Sequence, residues 1–267
     1  MPEGDTVWRT ARQLDRQLSG QVLTRTDFRV PELATLDLAG HSIAVTVSRG
    51  KHLLTRIGED LTLHTHLKME GSWHLYRLSP STSWRRPAYE ARVVLGTEAW
   101  SAVGFALGVV EVWPRPEELD RLAHLGPDVL GTDWDAQAAA GRLVLDPVTG
   151  KPTDRGIGEA LIDQRCLAGL GTIYRAETLF LSGINPHRPA VAVEDRVALV
   201  ERARRLMRAN LERPGIVTTG DTRHGRELWV YGRGGRPCRR CGTTIERDLI
   251  GSPPYDRVVY WCPRCQT

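Results

Sequence analysis

Residues 43–71 read IAVTVSRGKHLLTRIGEDLTLHTHLKMEG, and the placing of their apolar positions decides the class of fold. Ile43, Val45 and Val47 alternate with other residues, 52–57 is a short mostly apolar run, and Leu61, Leu63, Thr65 and Leu67 alternate again. A period of two lays one side of each run on a core, so these are expected to be strands. Similar runs at 92–95 and 109–113 extend the pattern, and the N-terminal part of the chain is expected to be a β-sandwich or barrel.

Toward the N-terminus the period changes. Val7, Ala11, Leu14 and Leu18 recur at helical spacing, Asp5 and Thr6 are expected to cap that helix, and Gly20 is expected to stop it. Residues 79–87, rich in serine, proline and arginine, are expected to form a mobile loop. Around 125–128 the strand pattern ends. Helices are expected from 136 onward and at 157–164, 172–182 and 194–211, and the glycines of 215–235 predict an extended linker. The expected division is therefore 1–125, a β-sandwich with a flanking helix, then 126–214, a helical domain, then 215–267, a linker and cysteine module. The fold class is α+β multidomain.

A chain of 267 residues that is 41% apolar and 25% charged suffices for a sizeable core. Its apolar runs fall far short of the ~20 residues that cross a bilayer. No membrane role is expected. The start, Met1-Pro2-Glu3-Gly4-Asp5, is acidic where a secretory signal is basic, which points to the cytoplasm. The net charge of +4 permits a polyanionic partner. Arg233, Arg236, Arg239 and Arg240 crowd the first cysteines, and Arg202, Arg204, Arg205 and Arg208 punctuate one helix. Such clustering fits either a nucleic-acid surface or a solvated arginine-rich one.

Four of the five cysteines form two Cys-x-x-Cys pairs, Cys238/Cys241 and Cys262/Cys265, separated by twenty residues. Four thiolates in this spacing close a tetrahedral shell around one zinc ion, and a filled shell leaves no position for a reacting water, so the zinc is expected to be structural. A redox dithiol would need one pair, not two. Between the pairs a β-hairpin is expected, with Pro253-Pro254 near its turn and 258–261 as the returning strand, presenting Arg257. Cys166 stands apart, is expected on the helix that precedes Gly169-Leu170-Gly171, and reads as buried and inert.

Pro2 supplies the other chemical signal. Its small size permits removal of Met1, which would leave a secondary amine at the chain terminus, and such amines titrate near ~7.7–8.0. A neutral secondary amine attacks an aldehydic sugar carbon to give an iminium ion, which acidifies the neighbouring C–H and lets the 3′-phosphate leave. A helix that starts nearby favours both the neutral amine and an ionised Glu3.

Taken in order, Met1-Pro2-Glu3-Gly4-Asp5, Arg49-Gly50-Lys51, His66-Leu67-Lys68-Met69-Glu70-Gly71, Gly169-Leu170-Gly171-Thr172-Ile173-Tyr174, Val230-Tyr231-Gly232-Arg233 and the cysteine module resemble the formamidopyrimidine-DNA glycosylase/endonuclease VIII family along nearly the whole chain. The resemblance implies an N-terminal β-sandwich with flanking helices, then a helix-two-turn-helix domain carrying a four-cysteine zinc-finger β-hairpin. It implies a base-excision repair enzyme on damaged double-stranded DNA, a DNA glycosylase and abasic-site lyase acting through Pro2, bacterial, associated with the nucleoid and monomeric.

The same resemblance assigns roles. Pro2 is the Schiff-base nucleophile, and Glu3 the acid that protonates the sugar ring oxygen. Lys51 contacts phosphate and assists elimination, and Arg257 grips the phosphate beside the lesion. Gly171 and Thr172 open a helix onto phosphate, although the family generally has asparagine where Thr172 stands. Met69 is the wedge that fills the void left by the flipped nucleotide, a position that in an isolated sequence reads equally as core. The formamidopyrimidine branch adds an arginine and a phenylalanine to that wedge. Here the matching stretch, Phe105-Ala106-Leu107-Gly108, lacks the arginine. The 214–237 segment is shorter than the loop that covers 8-oxoguanine in that branch, so the endonuclease VIII-like branch and oxidised pyrimidines are expected. The other readings are an abasic-site lyase with little base-removing activity, an 8-oxoguanine or formamidopyrimidine glycosylase, and a non-catalytic zinc-dependent DNA-binding protein.

Overall fold

The computed structural model describes residues 2–79, 83–253 and 256–267; Met1, part of the expected 79–87 loop and Pro254 of the expected turn lie outside it. The chain divides into two compact units, Met1–His124 and Leu125–Thr267.

The first unit opens with α1 (Gly4–Leu18), which buries Val7, Ala11, Leu14 and Leu18. Eight strands follow: β1 (Arg25–Phe28), β2 (Ile43–Arg49), β3 (His52–Ile57), β4 (Leu61–His66), β5 (Ser72–Arg77), β6 (Ala91–Gly96), β7 (Trp100–Phe105) and β8 (Val109–Pro114). They form two antiparallel four-stranded sheets, in the orders β1-β6-β7-β5 and β2-β3-β4-β8. Leu53, Ile57 and Leu63 of one sheet share a core with Val93, Leu95 and Ala102 of the other and with α1. The unit is a β-sandwich. A short helix, α2 (Glu118–Arg121), follows; the Glu118 carboxylate accepts from Arg56 Nη2 at 2.7 Å and Thr62 Oγ1 at 2.8 Å.

Strands β1, β5 and β7 escape the alternation rule for physical reasons. β7 is buried continuously from Ser101 to Phe105, so it has no polar face to alternate with. β1 and β5 are edge strands, and β1 carries arginine, threonine and aspartate in succession, which leaves no apolar alternation to read. The described part of the 79–87 stretch is anchored. Trp84 packs edge-on against Phe105, Tyr76 Oη accepts the Arg85 N–H at 3.0 Å, and Arg86 pairs with Glu90.

The second unit contains α3 (Ala136–Arg142), α4 (Ile157–Ile162), α5 (Thr172–Ser182), α6 (Arg196–Ala209) and a hairpin of β9 (Glu246–Ile250) and β10 (Arg257–Trp261). Asp135 caps α3 and Asp195 caps α6, which is why α6 starts two residues later than its apolar pattern suggests. The main core joins Leu143, Leu161, Tyr174, Leu179, Val200 and Met207. A smaller one joins Ala176 and Phe180 of α5 to Val230, Ile245 and Cys262, so 215–267 is packed onto α5. Cys166 lies in the turn after α4, not on the helix, since α4 ends at Ile162; it is buried and its sulfur accepts from Arg155 Nη2 at 2.7 Å. Among the described residues no helix is long and apolar enough to cross a membrane.

Candidate active site and metal centre

The start of α1 is the first half of the site. The helix begins at Gly4, so Glu3, not Asp5 or Thr6, holds the N-cap position; Asp5 falls in the first turn, 3.6 Å from Arg9 Nη1. The Glu3 carbonyl accepts the Val7 N–H at 3.0 Å, and Glu3 is fully buried. Pro2, half-buried, directly precedes it. A potential secondary amine at Pro2 and a carboxyl group at Glu3 thus sit on adjacent residues at the start of α1.

Two turns at one end of the second sheet hold the next candidates. His52 stands opposite His66 in the β3/β4 register, so the turn before β3 and the turn after β4 are neighbours. Lys51 is half-buried in the first, beside Gly50 at φ 57°. The second is tight: Gly71 N–H donates to the Leu67 carbonyl at 2.9 Å, and a Cβ on Gly71 would meet that oxygen at 2.4 Å. Leu67 turns inward at 2% exposure while Met69 stands out at 65%. Met69 is therefore not a core methionine. Phe105 is the opposite case, fully buried among His74, Trp84 and the Arg86 guanidinium, so this stretch projects no aromatic ring.

In the second unit Gly171 is the extended N-cap of α5, and Thr172 is its first, largely buried residue. Arg257 opens β10, exposed, opposite Ile250. Two buried charges on α5, which the sequence reading did not single out, fix the elements around it. Arg175 donates to the carbonyls of Gly158, at 3.4 Å, and of Val258, the neighbour of Arg257. Glu177 accepts the backbone N–H groups of Trp229, Val230 and Tyr231 at 2.8–2.9 Å and the Thr218 hydroxyl. The segment expected to be an extended linker is thus clamped to α5. The available signal was two charges two residues apart in an otherwise apolar helix.

Cys238, Cys241, Cys262 and Cys265 converge with all four sulfurs within 4.8 Å of one another, and Cys241 Sγ lies 3.4 Å from Cys262 Sγ. All four are free thiols. Zinc–sulfur bonds of ~2.3 Å in a tetrahedron place sulfurs about 3.8 Å apart, so the cluster fits that ion. Three of the arginines around it are occupied. Arg239 Nε donates to the Leu228 carbonyl at 3.0 Å, Arg233 Nη2 to that of Pro237 at 2.8 Å, and Arg240 lies over the Phe180 ring at 4.4 Å.

This architecture defines a class: an N-terminal β-sandwich followed by a helix-two-turn-helix unit with a four-cysteine hairpin is that of the DNA glycosylases with lyase activity. Residues 1–106 match the formamidopyrimidine-DNA glycosylase N-terminal domain, and residues 125–221 match the formamidopyrimidine-DNA glycosylase H2TH domain. The chain belongs to the formamidopyrimidine-DNA glycosylase family, which takes in the endonuclease 8 proteins. It is 47% identical over 270 residues to endonuclease 8 2 of Mycobacterium tuberculosis, with 100% of each chain covered. It is 46% identical over 267 residues to the DNA-(apurinic or apyrimidinic site) lyase Nei2 of Mycolicibacterium smegmatis, covering 100% of this chain and 99% of that one. The crystal structure of Lactococcus lactis Fpg with an abasic site containing DNA aligns at a TM-score of 0.80 and 24% identity, over 99% of both chains, a likeness of fold.

Proposed function

We propose that this protein excises oxidised bases, pyrimidines ahead of 8-oxoguanine, from double-stranded DNA and then cuts the strand, with Pro2 as nucleophile. The observation that carries the reading is the placing of Pro2 immediately before the fully buried Glu3 at the start of α1. Once Met1 is removed, the Pro2 nitrogen attacks C1′ of the deoxyribose, and the C1′–base bond breaks as the base leaves with its electron pair and takes up the proton that the Pro2 nitrogen sheds. Glu3 protonates the ring oxygen, the ring opens, and an iminium joins protein to sugar. Loss of a proton from C2′ expels the 3′-phosphate, and a second elimination expels the 5′-phosphate. Lys51 and Arg257 hold the flanking phosphates, with the α5 start at Gly171 and Thr172 contributing. Met69, exposed at its turn, fills the gap left by the flipped nucleotide.

The four cysteines hold one zinc ion, which supplies folding energy and no chemistry of reaction. The work divides along the chain: 1–125 catalyses, 126–214 grips DNA, and 215–267 presents Arg257. The protein acts as a monomer inside the cell, on chromosomal DNA.

Glu3→Gln separates the two steps. Base release should fall by about 10²–10⁴, the usual contribution of a positioned acid. Cleavage of a preformed abasic site, whose hemiacetal opens to the aldehyde unaided, should fall much less. Equal loss of both would refute the role of Glu3, and preferential release of 8-oxoguanine over thymine glycol would refute the lesion assignment. A second reading is favoured by the burial of Phe105: with Met69 alone as wedge, the protein is mainly an abasic-site lyase. That reading predicts rapid cutting of abasic duplex and little release of any damaged base.

A further inference from the structure

The sheet that carries Lys51 and Met69 also carries a row of histidines that the chemistry above does not use. His52 lies opposite His66, and His64 lies opposite Glu111 of β8. Glu111 Oε2 is 2.9 Å from His64 Nδ1, and His64 Nε2 is 2.8 Å from His52 Nδ1. The His64 ring stacks on Trp113 with centroids 4.2 Å apart, and Arg121 covers that tryptophan at 5.2 Å. The His66 and His124 rings meet His52 edge-on at 5.0 Å and 6.2 Å.

Elementary bonding rules give this row a direction. An ionised carboxylate only accepts, so His64 Nδ1 carries the proton. A neutral imidazole has one N–H, so His64 Nε2 accepts, His52 Nδ1 donates, and His52 Nε2 is left with the lone pair. His66 is fixed in the opposite sense: its Nδ1 accepts the Lys68 N–H at 2.9 Å, which puts its proton on Nε2. The rings of His52, His64 and His66 are neutral at physiological pH because burial lowers all three. His52 is pushed down to about 3, by burial first and then by His66, His64, His124 and Lys68. His66 is pushed down to about 4, by burial and then by Lys68, Lys51 and His64. For His64, burial together with Lys68 and Arg121 outweighs the upward pull of Glu111.

We propose that Glu111, His64 and His52 form a relay of fixed tautomers that positions the two turns bearing Lys51 and Met69; it rests on the roles given to those residues under the proposed function. His52 directly follows Lys51, so locking its ring locks the end of that turn. His66 grips the backbone of Lys68, which sits at φ 52°, a left-handed conformation that is strained for a lysine and persists only when its surroundings impose it. Gly108 leaves room for the Lys68 stem, since a Cβ there would lie 2.1 Å from it. These are positioning residues, and none needs to touch DNA.

Nitrogen-resolved imidazole NMR on the zinc-loaded full chain with free Pro2 tests the relay directly. Nδ1–H tautomers at His52 and His64 and an Nε2–H tautomer at His66 are expected; an Nε2–H His64, or a charged one at neutral pH, overturns the proposal. Glu111→Ala should release the His64 tautomer, move the backbone amide signals of Lys51, Lys68 and Met69, and lower kcat on abasic duplex roughly tenfold with KM little changed, below the ~100-fold that a 1 Å misplacement can cost. Glu111→Gln, whose amide oxygen still accepts, should restore all three readouts. Unmoved amide signals in Glu111→Ala, or moved signals with undiminished kcat, overturn the positioning role. If the unsubstituted protein fails to cut abasic DNA, it is the proposed function that fails, and the amide shifts alone then decide whether the relay stands.

Discussion

Two basic regions of this protein look alike in sequence and behave differently in the fold. The arginines at 233–240 crowd the cysteines as a nucleic-acid surface would, yet Arg233 and Arg239 are bonded to backbone carbonyls and Arg240 is stacked on Phe180 and Trp229. The turns around Lys51 and Lys68 carry less charge, but one of them projects the exposed Met69 and both flank neutral histidines. The partners of those arginines mark the first region as scaffold, and the exposure of Met69 marks the second as a surface open to a ligand. In the cysteine module the guanidinium groups satisfy carbonyls that a loop rich in glycine leaves unpaired.

This contrast can be broken experimentally. The largest effect expected is from stripping the metal or from Cys262→Ser. Either should unfold the β9/β10 hairpin and abolish DNA binding, because a shell of four thiolates supplies folding energy that a hairpin this short lacks. Circular dichroism and zinc content check it, and a hairpin that stays folded without metal would contradict it. Next, Lys51→Ala should slow cleavage of abasic duplex by about 10²-fold while changing stability by no more than ~0.5 kcal/mol, since this half-buried turn residue packs no core.

Arg240→Ala should do the reverse. Loss of its stacking on two rings should destabilise the second unit by about 1–2 kcal/mol and leave turnover of zinc-saturated enzyme unchanged. Denaturant titration and salt-dependent DNA binding distinguish the cases. A shallower salt slope, by about one phosphate contact, would make Arg240 a DNA ligand and erase the contrast.

The smallest effect is with pH. His52 and His66 titrate lower in the folded protein than when unfolded, so the folded state binds fewer protons between those values. The stability they contribute is present above their ordinary value of about 6.5 and is lost as pH falls toward about 4 and then about 3. Tm should therefore drop on acidification, and His52→Asn should flatten that drop. An equally steep drop in His52→Asn would contradict it.

Much of this was legible in the residues. Alternation at 43–67 located β2, β3 and β4, and the cysteine spacing located the four-thiol cluster, because both depend on short-range periodicity. Strand β7 was hidden by burial on both faces, and the α1 cap was misplaced because Glu3 and Asp5 are both buried and only geometry tells which comes first. The clamp of Arg175 and Glu177 on the zinc hairpin and the 218–231 segment was out of reach for a different reason. It joins residues 41 to 83 positions apart, and no local pattern records such a contact.

The central claim, covalent attachment of deoxyribose to a deblocked Pro2, is tested most directly by borohydride reduction of the zinc-loaded protein with abasic duplex, followed by mass analysis of the N-terminal peptide. An adduct on the nitrogen of Pro2, absent from protein that retains Met1, is the expected result. An adduct on another residue, or cut DNA with no adduct from protein whose free Pro2 is verified, would contradict the account.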